Sequence, residues 1–312
     1  MGRIDGYDIT GRTVLVTGGA GFIGSHLAGA LSRHNDVRVL DNLSTGRRGA
    51  LPEDVTFIEG DIRDDDRRRE AVNGVDLVFH EAAIVSVDQS VDAPTLTHDV
   101  NARATLAVLE HARRNDARVV VASSAAVYGE PDRVPVTESQ CLTPTSPYGV
   151  TKLAADHYTR LYADLYGLET VALRYFNVYG PGQAGGDYNG VISTFVDRAV
   201  AGEPLVVHGN GSQTRDFVHV SDVVDANLAA ATTDHVGEAF NVGTGTSVTI
   251  RELAEHVRRI TGADVPIEHD EARSGDVTNS RADLTAARSR LGYEPVITLD
   301  EGLATLPALS VV

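Results

Sequence analysis

Two serines, a tyrosine and a lysine are the residues whose types and spacing are best suited to catalysis. Ser123 and Ser124 end a predicted strand that begins at residue 118, and Tyr148 and Lys152 lie four positions apart on one face of the next predicted helix. A tyrosine is a poor base at neutral pH because its reference pKa of about 10 keeps the phenol protonated. A neighbouring ammonium lowers that pKa and favours the phenolate. Tyr148 could then take a proton from a substrate hydroxyl that Ser124 also contacts.

Lys152 is the only lysine in the chain, which otherwise uses arginine. Arginine cannot replace a compact ammonium that must hydrogen-bond a ribose and a phenol together. The isolated lysine therefore favours a catalytic role, with chance survival of one lysine as the alternative.

A glycine-rich turn follows the predicted strand 13–17 and opens a predicted helix. The spacing of Gly18, Gly21 and Gly24 permits, in that order, a tight turn, the close approach of a pyrophosphate and close packing of the helix on the sheet. This setting predicts a dinucleotide site. The predicted contacts are Gly18, Gly21, Phe22, Ile23 and Gly24.

Asp41 ends the second predicted strand, 20 residues after Gly21. Its carboxylate could accept hydrogen bonds from both hydroxyls of a ribose and repel a 2′-phosphate, which favours NAD over NADP. The alternative is that Asp41 only caps a turn with Asn42, which is itself a predicted cofactor contact. Asp61 and Ile62 follow the third strand, and Ala82 and Ala83 follow the fourth. These residues could also approach the cofactor, with ordinary strand-end packing as the alternative.

Apolar strands alternate with helices through the first half of the chain, and the pattern loosens after Arg174. The alternation predicts an α/β fold, a Rossmann-type doubly wound parallel sheet with helices on both faces, plus a smaller α/β C-terminal domain. The predicted division is a cofactor domain at 1–173, with 214–242 crossing back to it, and a substrate domain at 174–213 and 243–312. Within the segment 214–242, Ser221 is the expected helix N-cap.

The composition restricts the partners. The net charge of −17 disfavours nucleic acid, whose binding requires basic patches. The acidity is typical of a surface suited to high salt, with codon bias towards arginine as the alternative. A single cysteine, Cys141, excludes an internal disulfide, and the histidine spacing predicts no metal. Without an 18-residue apolar run or a secretory signal, we expect no membrane partner and a cytoplasmic location.

Several motifs, in this order and spacing, resemble the extended short-chain dehydrogenase/reductases over about residues 13–300. Within that superfamily, the pattern is closest to the NAD-dependent nucleotide-sugar epimerases that act on UDP-glucose. The resemblance implies inversion at C4 of a UDP-hexose through a 4-keto intermediate, and it adds Ser123 and Tyr175 as cofactor contacts. The motifs are TGGAGFIG at 17–24, SSAAVYG at 123–129, SPYGVTK at 146–152, RYFNVYGPGQ at 174–183 and TRDFVHVSD at 214–222.

The resemblance also implies the contacts to the nucleotide sugar. Asn177, Arg215 and Arg273 match the residues that hold the diphosphate, a task suited to the planar fork of arginine. Ser280 stands where relatives restricted to glucose and galactose carry a tyrosine, which implies that N-acetylated hexoses are accepted. The alternatives are surface ion pairs for the arginines and a local alignment gap at Ser280. Asp276 and Tyr188 complete the predicted set.

Ala125 and Ala126 favour epimerisation over the dehydration and decarboxylation that related enzymes catalyse. Dehydratases and decarboxylases of this type place acidic residues at these positions, whereas epimerisation needs no acid or base beyond the tyrosine. The alternatives are a UDP-glucuronate 4-epimerase, a nucleotide-sugar oxidoreductase or reductase that shows a net change in reduced cofactor, and a non-catalytic NAD-binding scaffold. By analogy, we expect a homodimer that packs the helices at 95–115 and 148–166. Pro307 predicts that the family's closing helix is short or lost.

Overall fold

The computed structural model describes residues 6–183, 190–272 and 277–306. Its strands are β1 Thr13–Thr17, β2 Asp36–Asp41, β3 Thr56–Glu59, β4 Leu77–His80, β5 Arg118–Ser124, β6 Thr170–Tyr175, β7 Asn177–Tyr179, β8 Leu205–His208, β9 Thr214–Arg215, β10 Phe217–His219, β11 Glu238–Val242, β12 Val248–Thr249 and β13 Ile267–Asp270. Its helices are α1 Phe22–Leu31, α2 Asp65–Val72, α3 Val87–Asp92, α4 Pro94–His98, α5 Ala104–Asn115, α6 Pro147–Tyr166, α7 Val191–Ala201, α8 Val220–Thr232, α9 Ile250–Thr261 and α10 Leu299–Ala304.

Seven of the strands form one sheet, in the order β11-β6-β5-β4-β1-β2-β3. All of its neighbouring strands are parallel. Alternate residues of the central strands β1, β2, β4 and β5 enter cores on opposite faces. In β1, for example, Val14 and Val16 pack on one face, which α1 and α8 cover, and Leu15 packs on the other, which α2, α5 and α6 cover. The predicted doubly wound sheet is confirmed.

The strand order reverses between β1 and β4, because the chain returns to the opposite side of β1 after β3. Ligands bind at such a reversal, beyond the carboxyl ends of the strands. The glycine turn follows β1 there, and residues 81–83 follow β4. The topology therefore brings two of the predicted cofactor segments together.

The remaining strands of the described ranges pair two by two, as β10 with β7, β12 with β9 and β13 with β8. Together with α7, α9 and α10 they enclose a third apolar core that includes Phe195, Leu205, Leu253 and Leu303. Helix α10 has six residues, and Pro307, on which the prediction of a short or lost closing helix rests, lies outside the described residues. β11 lies at the edge of the large sheet, although the proposed domain boundaries remain a prediction.

A buried ion pair joins α6 to β6. Arg174 and Asp156 are 1% and 0% exposed, and Arg174 donates from Nε and Nη2 to the two carboxylate oxygens at 2.9 and 3.1 Å. Arg174 Nη1 also donates to the Tyr128 hydroxyl at 2.9 Å, and that hydroxyl donates to Asn241 Oδ1 at 2.7 Å. The network therefore links β5–α6, β6 and β11.

Two sequence expectations differ from the structure in detail. Ser221 is the expected N-cap of α8, but the cap is His219, two residues earlier, and the helix begins at Val220. The His219 ring nitrogen accepts from the Ser221 amide at 3.2 Å. An imidazole thus does what a hydroxyl was expected to do. The helix predicted over 95–115 is divided into α4 and α5 by a π-helical turn, Asp99–Arg103.

Candidate functional site

The glycine turn can exist only without side chains at two positions. Gly18 has φ +65°, and a Cβ placed there would lie 2.7 Å from the backbone of Ala82. A Cβ at Gly24 would collide with the carbonyl oxygen of Gly18. Because α1 begins at Phe22 with no side chain capping its N-terminus, the amides of Phe22 and Ile23 lie where a diphosphate could accept hydrogen bonds.

Asp41 is tied to the same turn. Its Oδ2 accepts from the Ala20 amide at 2.9 Å and its Oδ1 from the Leu43 amide at 2.8 Å, while the residue is 9% exposed. Each carboxylate oxygen has a second lone-pair site. Asp41 could therefore cap the turn and still receive ribose hydroxyls, so the two predicted roles are compatible.

Asn42 and Asp61 form the adjacent edge. The Asn42 amide donates to Asp61 Oδ2 at 3.2 Å, and Asp61 pairs with Arg63 at 2.7 Å. The hydrogen bond from Arg63 is the main cause that lowers the pKa of Asp61 to about 2. Ile62 is 7% exposed and packs in the core below this edge.

His80 joins the strands beneath the site. Its ring nitrogens hydrogen-bond the hydroxyls of Thr17 at 2.7 Å and Thr105 at 2.8 Å. Burial, with a smaller contribution from the charge of Lys152, lowers its pKa to about 3. The ring is therefore neutral and structural. The Thr17 hydroxyl also accepts from the Ala82 amide at 3.3 Å, which places Ala82 and Ala83 against the glycine turn.

Helix α6 carries the tyrosine and the lysine from a well-defined start. Ser146 caps it by accepting from the Gly149 amide, and Pro147 occupies the first turn. Lys152 is 6% exposed, and its Nζ donates to the Ala122 carbonyl of β5 at 2.8 Å. Burial raises the pKa of Tyr148, and a hydrogen bond with Ser124 opposes that rise. The predicted Ser–Tyr–Lys group is thus assembled at the carboxyl end of β5.

A cavity of about 230 Å³ opens beside this group. It brings together residues predicted separately from five segments of the sequence. Ala125 and Ala126 also line it. The predicted site residues on its wall are Ser124, Tyr148, Tyr175, Asn177, Arg215 and Ser280.

Some predicted residues stand apart from this assembly. Tyr188, Arg273 and Asp276 lie outside the described residues. Ser123 is described, but its hydroxyl donates to Asp156 at 3.0 Å, which connects it to the buried ion pair rather than to the cavity.

Two residues of the site gave no clear sequence signal. Asn101, in the π-helical turn, is 1% exposed. Its side-chain Nδ2 donates to the Ile84 carbonyl, and its Oδ1 accepts from the Ile84 backbone amide, both at 2.8 Å. Asn101 also donates to Thr151 of α6 at 3.2 Å, so it joins the segment after β4 to the catalytic helix. The only available hint was an amide inside an apolar helix pattern. Glu81 accepts from the Tyr175 hydroxyl at 2.9 Å, and its sequence neighbours did not reveal this contact.

The glycine turn yields a matched test. Gly18 and Gly167 have φ of +65° and +66°, but a Cβ at Gly167 would meet nothing within 4 Å. Alanine at either position costs about 1–2 kcal/mol in backbone energy, so only Gly18→Ala should also displace the turn. We expect Gly18→Ala to bind NAD at least about tenfold more weakly, measured by calorimetry, and to release less cofactor on denaturation, measured by chromatography. Equal NAD binding by the two variants would contradict a cofactor role for the turn.

Comparison with known proteins agrees with this geometry. The model of the NAD dependent epimerase/dehydratase family matches residues 14–243. A putative UDP-glucose 4-epimerase of Methanocaldococcus jannaschii is 42% identical over 295 residues, which cover 93% of this chain and 95% of that protein.

Two solved structures are similar over nearly the whole chain. The UDP-N-acetylglucosamine 4-epimerase of Methanobrevibacter ruminantium, in complex with UDP-N-acetylmuramic acid, has a TM-score of 0.90 at 36% identity and covers 94% of this chain and 97% of its own. The UDP-glucose 4-epimerase of Thermus thermophilus, in complex with NAD, has a TM-score of 0.87 at 36% identity, with 96% and 98% covered. The extent of the family match and the identity of these relatives show that the chain belongs to the NAD-dependent epimerase/dehydratase family.

Proposed function

We propose that this chain is an NAD-dependent epimerase that inverts C4 of a UDP-hexose. One observation carries the choice of epimerisation over dehydration: the cavity beside Tyr148 is lined by Ala125 and Ala126, and no carboxylate stands among its described lining residues. Elimination of water or of carbon dioxide would lack its acid–base group there. The relatives named as UDP-glucose and UDP-N-acetylglucosamine 4-epimerases support the same choice.

NAD is the cofactor of the family, and this chain's residues fit it. Backbone contacts exclude a Cβ at Gly18 and Gly24, so the turn keeps the tight shape that presents the N-terminus of α1 to a diphosphate. Asp41 offers acceptors to a ribose, and its charge would repel a 2′-phosphate. Bound NAD supplies a reversible hydride acceptor for sugar C4. Asn42, Asp61, Ile62, Ala82, Ala83 and Tyr175 complete the proposed cofactor surface.

Tyr148 is the proposed base. Its phenolate takes the proton of the C4 hydroxyl, and its phenol returns a proton to the oxygen of the 4-keto sugar after the opposite face has been presented. Burial opposes the phenolate, and the ammonium of Lys152, one turn further along α6, is the group proposed to favour it. Ser124, hydrogen-bonded with Tyr148, would contact the same sugar oxygen.

The nucleotide must be held firmly while the 4-keto sugar rotates to present its opposite face. Asn177 and Arg215 lie on the cavity wall, and the Arg215 guanidinium also donates to the carbonyls of Thr214 and Val277 at 2.7 and 2.6 Å. These bonds hold the guanidinium at the cavity wall, and the planar fork of arginine is suited to a diphosphate. Arg273, Asp276 and Tyr188 remain proposed nucleotide contacts.

Replacement of the base tests the mechanism. Tyr148→Phe should lower kcat by about 10²–10⁴-fold, whereas Tyr158→Phe, an exposed position on the same helix, should leave it unchanged. The assay offers UDP-glucose, UDP-N-acetylglucosamine and UDP-glucuronate separately in about 2 M KCl, which screens an acidic surface, and resolves the C4 epimers by chromatography.

Each outcome of that assay decides between the candidate functions. Epimers without accumulated NADH support the proposal and identify the sugar, including a uronate. Net NADH would indicate an oxidoreductase that oxidises the sugar and does not return the hydride. If NAD binds but none of the three sugars is epimerised, the proposed reaction is wrong, and a scaffold or another nucleotide sugar must replace it.

The sugar pocket admits N-acetylated hexoses. Ser280 lines the cavity, and its amide donates to the Thr214 carbonyl at 3.2 Å, which fixes its backbone at the wall. Ser280→Tyr would add a ring to a space of about 230 Å³. We expect it to lower kcat/KM for UDP-N-acetylglucosamine at least about tenfold more than for UDP-glucose. Ser280→Ala should preserve both activities, and equal losses on the two sugars in Ser280→Tyr would contradict this assignment.

The chain forms a homodimer through α6. Three large apolar side chains at helical spacing are exposed on this helix, namely Tyr158 at 37%, Leu161 at 44% and Leu165 at 61%. Sedimentation in molar KCl should give a dimer that Leu161→Glu converts to a monomer. Val200→Glu, at an exposed position on α7, should leave the dimer intact. A monomeric unmodified chain would reject this interface.

The high-salt and cytoplasmic assignments remain proposals that rest on composition. No helix of the described ranges has the length and apolar character needed to cross a membrane. Those ranges also hold no cluster of three potential metal ligands.

A further inference from the structure

A histidine on α1 is hydrogen-bonded to the segment that follows β7. His26 lies one turn after Phe22, and the two rings meet edge to face with their centroids 5.9 Å apart. The Nε2 atom of His26 is 2.8 Å from the carbonyl oxygen of Pro181, which is 155 residues away in sequence. A carbonyl can only accept, so Nε2 carries the hydrogen and donates it.

The segment 180–183 belongs to the substrate side of the molecule. Its Gln183 side-chain nitrogen donates to the Val178 carbonyl of β7 at 3.3 Å, and its side-chain oxygen accepts from the Ser193 hydroxyl of α7 at 3.1 Å. Within the described ranges, the bond from His26 is the hydrogen bond that joins this segment to α1. It therefore connects the cofactor helix to the wall of the substrate site.

Both ends of this connection lie next to residues proposed to bind ligands. The first turn of α1 presents the amides of Phe22 and Ile23 to the diphosphate of NAD. At the other end, Asn177 is the first residue of β7, lines the sugar cavity and lies four residues before Pro181. The position of β7 relative to the cofactor thus depends on a contact outside both ligand sites.

The other side chains of α1 cannot supply the same constraint. Leu27, Ala28 and Leu31 are buried in the apolar core that α1 shares with α8. This packing holds the helix against the sheet, but it makes no directed contact with the segment 180–183. A hydrogen bond weakens steeply as its angle departs from linearity, so it restricts direction as well as distance.

We propose that His26 is a positioning residue that, through Pro181, holds the wall carrying Asn177 in a fixed place relative to the NAD-binding turn of α1. The proposal rests on the proposed function, because the wall is the one assigned to the nucleotide sugar. An ordered first turn of α1 then favours an ordered β7. NAD and the nucleotide should therefore each bind more tightly when the other is bound.

The mutual effect of NAD and UDP tests this role without turnover. The full-length, NAD-loaded protein is dialysed to equilibrium against a series of NAD concentrations, with and without saturating UDP. We expect UDP to lower the Kd of NAD about fivefold or more in the unmodified chain. In His26→Ala, which lacks the donor to Pro181, UDP should lower it less than about twofold.

Two further variants control for a general effect of the substitution. In His26→Gln the side-chain nitrogen can take the place of Nε2 and donate to Pro181, so the effect of UDP should be retained. His34→Ala removes an exposed histidine just beyond α1 and should also retain it. His26 is only half-buried and alanine suits a helix, so we expect the alanine variant to fold.

The enzyme assay supplies a second readout. Because His26 does not line the sugar cavity, His26→Ala should raise KM for the UDP-sugar more than it lowers kcat, and His26→Gln should restore KM. A merely structural role would weaken the binding of NAD and of UDP separately. It would leave the effect of UDP on the Kd of NAD as large as in the unmodified chain.

Equal effects of UDP in the unmodified and His26→Ala proteins overturn the proposal, as does an unmodified chain in which bound UDP leaves the Kd of NAD unchanged. If NAD does not leave on dialysis, the Kd of UDP for the NAD-loaded proteins decides, measured by calorimetry, and equal values in the two proteins overturn the proposal. An unmodified chain that binds no UDP would instead show that the proposed function is wrong, and this inference would fall with it.

Discussion

The pairing of Arg174 with Asp156 is the contact on which the site depends. Both side chains are buried, both carboxylate oxygens are used, and α6 can therefore sit against β6 in only one register. Burial alone would raise the pKa of Asp156, but the hydrogen bonds and charge of Arg174 outweigh it and keep the carboxylate ionised. Loss of one partner from such a pair typically costs 3–5 kcal/mol because the other charge is left buried. Since α6 carries Tyr148 and Lys152, a structural ion pair fixes the position of the chemical groups.

The cavity illustrates how a parallel sheet collects polar residues without exposing its core. The middles of β2, β4 and β5 are mainly apolar, and polar side chains of the site stand at their carboxyl ends: Asp41 and Ser124 are the last residues of their strands, and Glu81 directly follows β4. Their backbone and side-chain hydrogen bonds offset the cost of partial burial. The low dielectric that makes these groups costly also strengthens the effect of one charge on another, so a lysine beside a tyrosine acts more strongly here than at a surface.

The fold and half of the site were predictable because they rest on local patterns. Strand–helix alternation gave the sheet, and the glycine spacing and the Tyr–Lys interval gave the turn and the catalytic face of α6. Glu81, Asn101 and Arg174 escaped because their partners lie far away in sequence: Tyr175 is 94 residues from Glu81, and Thr151 is 50 residues from Asn101. Arg174 was visible only as part of a motif, and the motif did not indicate that its guanidinium points into the core. Periodicity reports which face is buried, but it does not report which polar groups meet there.

The single lysine follows from the same geometry. An arginine-rich surface satisfies its guanidinium groups with abundant carboxylates, as along α2, where Arg67, Arg68 and Arg69 all have acidic partners. The slot at Lys152 is 6% exposed and offers one carbonyl at hydrogen-bond distance, so a five-donor fork would bury several unsatisfied N–H groups there. A guanidinium also keeps its proton at any pH reached by an enzyme. A compact ammonium fits this one acceptor and buries fewer N–H groups. Substitution towards arginine could therefore proceed over the whole surface and still stop at this position.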